Sequence, residues 1–142
     1  MKKLMLVLVL FLLNVNVYAE TYVAKGIIEN ITDIDDALDE FILKYNKIRC
    51  NNFSVSEESS IFSGGLSVLK VTGSVKNKSD ASKNLVITMY GRNKIGVLWT
   101  VNISPDFDRV GSKKTTQLKG DVYVEEGTLK KTTNIMYKVV GN

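Results

Sequence analysis

Histidine is absent from this 142-residue chain, and cysteine, proline and tryptophan each occur once. Without histidine there is no Ser-His-Asp or Cys-His nucleophilic site, no imidazole general base and no imidazole ligand for zinc. The sequence also contains no Gly-rich phosphate loop. We therefore expect a protein that is not an enzyme, with no catalytic residues, no cofactor and no metal site.

The single cysteine, Cys50, has no second cysteine with which to form an internal disulfide. A free cysteine is most often a small buried hydrophobic residue. In an oxidising compartment it is alternatively a thiol available for an intermolecular bond. Burial is the expectation, and the possible intermolecular thiol is kept as the alternative.

Long apolar runs are missing except at the N-terminus, where Leu4–Leu13 follows two lysines. Small residues in Val17–Ala19 then precede Glu20, which is typical of a secretory signal peptide with cleavage after residue 19. The run is about half the roughly 20 apolar residues that a spanning helix needs. We expect a periplasmic or secreted protein with no integral membrane segment after cleavage.

Removal of residues 1–19 leaves 123 residues, 20–142, with a net charge of +2. This length suits a single β-rich domain with a real core. So small a charge does not favour a nucleic-acid partner. Residues 20–58 carry a net charge of −5 and residues 59–142 carry +7. We interpret this asymmetry as a solvated helix face beside a Lys-rich sheet surface, and attraction between the two parts is the alternative.

One helix is predicted at about residues 33–49. Thr32 is a suitable N-cap, the aspartates of the first turn suit the positive end of the helix dipole, and Lys44, Lys47 and Arg49 suit its negative end. Apolar residues recur at helical spacing and form one stripe, which we interpret as core contact with a sheet. The stripe consists of Ile34, Ala37, Leu38, Phe41, Tyr45 and Ile48.

The rest of the chain alternates between short apolar strands and polar turns. Strands are predicted at about residues 22–28, 66–76, 85–90, 95–103, 115–124 and 129–140, and residues 53–62 are ambiguous. The predicted fold class is mainly β with one N-terminal helix. It is an antiparallel β-sandwich (immunoglobulin-like) or an open barrel over residues 53–140, with the helix packed on one face or end.

The stretch VTGSVKNKSDASKNLVITMYGRNKIGVLWTV, residues 71–101, resembles the FxLYD-type immunoglobulin-like domains of bacterial exported proteins. That family has a V-x-G-x-V-x-N strand end, a polar turn and an apolar strand that ends in Tyr-Asp. The resemblance covers about Leu66 to Val124, and this chain has Tyr90-Gly91 where the family often has Tyr-Asp. It implies an accessory or interaction module, and the family carries no catalytic residues to transfer.

Candidate partner-binding groups are exposed edge-strand backbone and five lysines on the late strands and turns. Lysine on an edge strand also guards against aggregation, which is the alternative role. The lysines are Lys113, Lys114, Lys119, Lys130 and Lys131.

The acidic cluster at residues 33–40 and the Asp106/Asp108 pair could in principle bind a hard cation. We interpret the first as charge that suits a helix start and the second as part of a loop.

Three function hypotheses follow. The first is an exported, non-enzymatic interaction module of the bacterial cell envelope, such as an accessory component of a pilus, secretion or adhesion system, with a protein partner there. The second is a periplasmic or secreted binder or inhibitor of a small molecule, glycan or hydrolase, which needs a concave pocket lined by Trp99, Tyr90 or Tyr123. The third, a hydrolase that uses carboxylates alone, has the least support, because nothing in the sequence indicates a substrate cleft.

Overall fold

The computed structural model describes residues 21–60 and 64–141, so the predicted signal peptide lies outside the described residues. The described chain contains nine strands and one short α-helix, α1 (Ile34–Asp39). The strands are β1 (Thr21–Ile28), β2 (Leu43–Tyr45), β3 (Ile48–Ser59), β4 (Leu66–Asn77), β5 (Lys83–Arg92), β6 (Val97–Ile103), β7 (Arg109–Val110), β8 (Thr115–Glu125) and β9 (Asn134–Gly141).

The strands form two sheets with antiparallel pairing throughout. Sheet 1 has the order β1-β9-β5-β6, with β7 beside the start of β5, and sheet 2 has the order β2-β3-β4-β8. The predicted fold class, an antiparallel β-sandwich with one helix, is therefore confirmed.

Strict alternation of side chains creates the two layers, because successive residues of a strand point to opposite faces. In β4 the inward residues include Leu69, Val71 and Val75, all buried. They face the inward residues of sheet 1, among them Ile87 and Met89 of β5. Burying apolar area contributes about 25 cal/mol per Å², so this interface between the sheets holds the sandwich together.

The predicted helix at residues 33–49 is wrong in its extent, because α1 ends at Asp39. Asp33, not Thr32, is the N-cap, and its Oδ1 accepts from the backbone N–H of Asp35 at 3.0 Å and of Asp36 at 3.3 Å. The remaining residues form the β2–β3 hairpin instead. Within this hairpin β3 also forms ladder hydrogen bonds to β4 from Ile48 onward, and such tertiary pairing overrides a helical spacing of apolar residues.

The short helix leads the chain from sheet 1 to sheet 2 at one side of the sandwich. Leu38 of α1 is 1 % exposed and belongs to the core. Just after the helix, Phe41 packs against Phe53 of β3 and Tyr137 of β9, with ring centroids 5.2 and 4.9 Å apart. One aromatic side chain therefore bridges the two sheets where the helix ends.

A buried asparagine fastens the turn that follows β4. The Nδ2 of Asn77 donates to the carbonyl oxygens of Ala81 at 2.8 Å, Gly111 at 3.2 Å and Val110 at 3.3 Å. Its Oδ1 accepts from the N–H of Ser79 at 2.9 Å and from the Ser79 hydroxyl at 2.6 Å. Asn77 thus joins the β4–β5 turn to the segment between β7 and β8.

Candidate interaction surface

The five lysines predicted from the sequence do not form one patch. Lys113 and Lys114 precede β8, whereas Lys130 and Lys131 lie in a 3-10 turn after it. The 11 residues of β8 span about 35 Å at roughly 3.3 Å per residue, so the two pairs lie at opposite ends of the sandwich. Lys119 lies in the middle of β8.

Two of these lysines are already engaged within the chain. The Nζ of Lys113 lies 3.2 Å from Asp80 Oδ1, and the Nζ of Lys119 lies 3.1 Å from Asp106 Oδ1. These exposed pairs contribute little to stability, but they lower the local positive charge. Neither lysine by itself therefore marks a binding site.

A stronger cationic feature crosses the outer face of sheet 2, the face that points away from sheet 1. Lys44 of β2 pairs with Arg49 of β3, and Arg49 pairs with Lys76 of β4. All three side chains point outward, and neighbouring strands are about 4.8 Å apart. Within the described ranges none of the three forms an ion pair. We call these three residues the basic row.

Turn lysines extend the basic row beyond the strands. The backbone N–H of Lys78 donates to the carbonyl of Lys47 at 2.8 Å, which joins the β2–β3 turn to the β4–β5 turn. A concavity of about 150 Å³ lies here, and no carboxylate is among its lining residues. Its lining consists of Lys44, Asn46, Lys47, Ile48, Arg49 and Lys78. The basic row, Lys47 and Lys78 together form what we call the basic end.

The opposite end of the same outer face carries acidic side chains. Glu58 of β3 and Asp121 and Glu125 of β8 point outward there, and we call these three residues the acidic end. Lys70 of β4 neutralises Glu58 across 2.6 Å. Two rows lie between the ends. The first is uncharged and consists of Asn51, Ser74 and Gln117, and in the second Thr72 neighbours Lys119, whose charge is paired with Asp106. One sheet face is thus positive at one end and negative at the other.

Sheet 1 carries a different feature on its outer face, a shallow groove of about 810 Å³. Met136 and Lys138 of β9 form its floor between β1 and β5. Tyr90 and Arg92 of β5 line it, and Arg92 Nη1 lies 3.0 Å from Met136 Sδ. Lys25, Gly26, Ile27 and Tyr137 complete the lining. The groove therefore combines apolar and cationic groups.

Of the three aromatic residues considered for a pocket, only Tyr90 lines this groove. Trp99 is 4 % exposed in the core, where its indole N–H donates to Thr132 Oγ1 at 2.9 Å. Tyr123 is 63 % exposed on the outer face of sheet 2.

The structure decides between the two interpretations of Cys50. Its side chain is fully buried, facing inward from β3. Burial raises the pKa of the thiol to about 12, so the reactive thiolate is suppressed. The possible intermolecular thiol is therefore wrong, because a partner cannot reach the sulfur without opening the core.

The carboxylates form no metal centre: across residues 21–60 and 64–141, no group of three Asp, Glu or Cys side chains is arranged to hold an ion. Glu57 instead has a structural role, because its two oxygens accept from the backbone N–H of Gly127 at 2.6 Å and of Leu129 at 2.9 Å. Burial raises the pKa of Glu57, but these bonds, with Ser67 and Lys130, outweigh burial and hold the pKa below its usual value.

The basic row was missed at the sequence level because Lys44 and Arg49 were assigned to the end of a helix. A signal for the hairpin was present nonetheless. Asn46-Lys47 is a two-residue connection, and Asn46 adopts a positive φ of 50°. Asparagine at such a position is typical of hairpin turns whose twist matches the flanking strands.

Comparison with known proteins assigns no family to this chain. No family model matches the chain, and no curated protein matches it. A solved structure of an uncharacterized β-sandwich protein from Clostridium difficile 630 is similar, at 10 % sequence identity and a TM-score of 0.41. The match covers 63 % of this chain and 76 % of that one.

No helix in the described part of the chain is long and apolar enough to cross a membrane.

Proposed function

We propose that this chain is an exported, non-enzymatic interaction module of the bacterial cell envelope, such as an accessory component of a pilus, secretion or adhesion system. The signal-like segment at residues 1–19 and the resemblance of residues 66–124 to FxLYD-type domains support export and an interaction role. In this proposal the basic end is the surface that docks onto the protein partner.

The observation that carries the proposal is the basic row. Like charges directly opposite each other on adjacent strands destabilise a sheet. For charges about 5 to 10 Å apart in water, each neighbouring pair costs roughly 0.4 to 0.8 kcal/mol before screening. The adjacent outward row of Asn51, Ser74 and Gln117 is uncharged, so the sheet itself does not need cations at these positions. An acidic partner surface would attract all three cations and offset their mutual repulsion, which gives the basic row a role in binding.

The test is affinity capture from an envelope extract with the chain from Glu20, which contains every described element. We expect one protein to be captured in stoichiometric amount, and the double substitution Lys44→Glu/Lys76→Glu to abolish its capture. The matched control, Lys94→Glu/Arg109→Glu, makes the same change in net charge at two exposed cations outside the outer face of sheet 2, one in the β5–β6 turn and one on β7. Capture that is equal for both variants would contradict the proposal.

The groove on sheet 1 supports a second candidate function, a binder of a small amphipathic anion. Tyr90 and Met136 offer apolar contact, and Arg92 and Lys25 offer positive charge in the same concavity. A fluorescence titration with 8-anilinonaphthalene-1-sulfonate would show saturable binding to the native chain. The Arg92→Ala/Lys25→Ala variant should weaken it at least tenfold, whereas binding that survives this change would place the probe elsewhere.

A further inference from the structure

We infer that the outer face of sheet 2 binds a second copy of this chain, which forms a two-fold dimer with the basic end of each copy over the acidic end of the other. This inference rests on the proposed function, because it names the partner of the same surface. The face is charge-complementary to itself: Lys44, Arg49 and Lys76 lie at one end, Glu125 lies at the other, and Asp121 lies two rows further in from Glu125, opposite Lys70.

The charge pattern selects one orientation of the two copies. A two-fold axis that runs across the strands reverses strand direction in the second copy and places its acidic end over the basic end of the first. An axis parallel to the strands would instead bring like ends together, and like charges would then repel. An isologous interface of this kind closes on itself, so association stops at a dimer.

The dimensions of the face suit a reversible dimer. β3 and β4 have 12 residues each and β8 has 11, so the face measures about 40 Å by roughly 15 Å. That is about 600 Å² per copy, at the lower end of specific interfaces. Its apolar content is small: Leu66 and Tyr123, at 40 % and 63 % exposure, lie at the acidic end with Val68. We therefore expect association that depends on charge and weakens with salt.

The experiment is sedimentation equilibrium of the chain from Glu20 at about 50 mM and about 500 mM salt. The wild type should dimerise at low salt, with a dissociation constant that rises at least tenfold at high salt. Reversing either end alone, by Lys44→Glu/Lys76→Glu or by Asp121→Lys/Glu125→Lys, should weaken dimerisation at least tenfold. The Lys94→Glu/Arg109→Glu control should dimerise like the wild type.

Recombining the variants gives the decisive result. An equimolar mixture of the two end-reversed variants should form a heterodimer, and the variant that carries all four substitutions should again form a homodimer. Circular dichroism checks that each variant is folded. If a double variant is not folded, the single variants Lys76→Glu and Glu125→Lys take the place of the two double variants. Failure of the mixture to associate, or a wild type that stays monomeric at low salt, would overturn the inference.

The same protein variants distinguish failure of the dimer from failure of the proposed function. A monomeric wild type whose basic row is still needed for capture of an acidic envelope protein would refute the dimer and leave the proposed function standing. A monomeric wild type whose capture does not depend on the basic row would refute both.

Discussion

Replacement of Asn77 by alanine should be among the most destabilising single changes in this protein. The side chain is fully buried and makes five hydrogen-bond contacts, three of them at 2.9 Å or less, and the two hydrogens of Nδ2 are shared among three carbonyl oxygens. Alanine removes all five and leaves the Ser79 N–H and three carbonyl oxygens without this partner. Each bond is worth about 0.5–1.5 kcal/mol net, and buried groups left unpaired cost more. Because the two longest bonds are weak, we expect a loss of about 3 kcal/mol from a total stability of about 5–15 kcal/mol.

Urea unfolding measures this loss directly. A decrease of about 3 kcal/mol should lower the midpoint by about 1–2 M with an unchanged m-value, because the native contacts elsewhere are retained. Asn102→Ala is the control, since Asn102 is exposed on β6 and its Oδ1 accepts one bond, from Thr88 Oγ1 at 2.7 Å. It should cost about 1 kcal/mol or less.

A second variant separates hydrogen bonding from loss of volume. Asn77→Asp keeps the shape but replaces the Nδ2 donor with an oxygen that faces three carbonyl oxygens. We expect it to be at least as destabilising as Asn77→Ala at neutral pH. The reasoning would be refuted if Asn77→Ala lost less than about 1 kcal/mol or if Asn77→Asp were as stable as the wild type.

Three further predictions concern other parts of the fold. The pKa of Glu57 is lower in the folded protein than in the unfolded chain. Its carboxylate therefore stabilises the fold at pH values above the unfolded-state pKa, and this contribution is lost as the pH falls through the folded-state pKa. The stability advantage of wild type over Glu57→Gln in urea unfolding should therefore shrink between about pH 6 and about pH 3, and a constant difference would contradict this. A methyl group at Gly91 would collide with the indole of Trp99, so Gly91→Ala should cost about 1–3 kcal/mol and shift the tryptophan emission to longer wavelength. An unchanged emission spectrum would count against it. Cys50 should resist thiol reagents at about pH 8 until the protein is unfolded in urea, and rapid labelling of the native protein would show that the burial is wrong.

The strand pattern was predictable because alternation is a local property of the chain. In β4 the spacing of Leu69, Val71 and Val75 places them on one face of the strand, and all three are buried. Trp99 and Val101, two positions apart in β6, likewise share a face, and both are buried in the core. Such patterns predict which face is apolar, since residues two apart share a face of the sheet.

The end of the helix was not predictable on the same basis. Tyr45 and Ile48 fit a helical stripe at three-residue spacing, but in the hairpin they pair directly with each other and face inward. A short run of apolar residues is compatible with both the helical and the strand spacing, and only contacts with other parts of the chain decide between the two. Here β4 supplies those contacts, by pairing with β3 from Ile48 onward.

By itself, the sequence determined that this chain lacks imidazole chemistry, that its strands alternate and that an asparagine ends β4. These features depend on which residues are present and on their spacing over a few positions. Only the tertiary structure decided that Lys44, Arg49 and Lys76 lie side by side and that Cys50 is inaccessible. Lys76 is separated from Arg49 by 26 intervening residues, so strand pairing alone brings their charges together. A binding surface built across strands therefore becomes visible only when the register of the sheet is known.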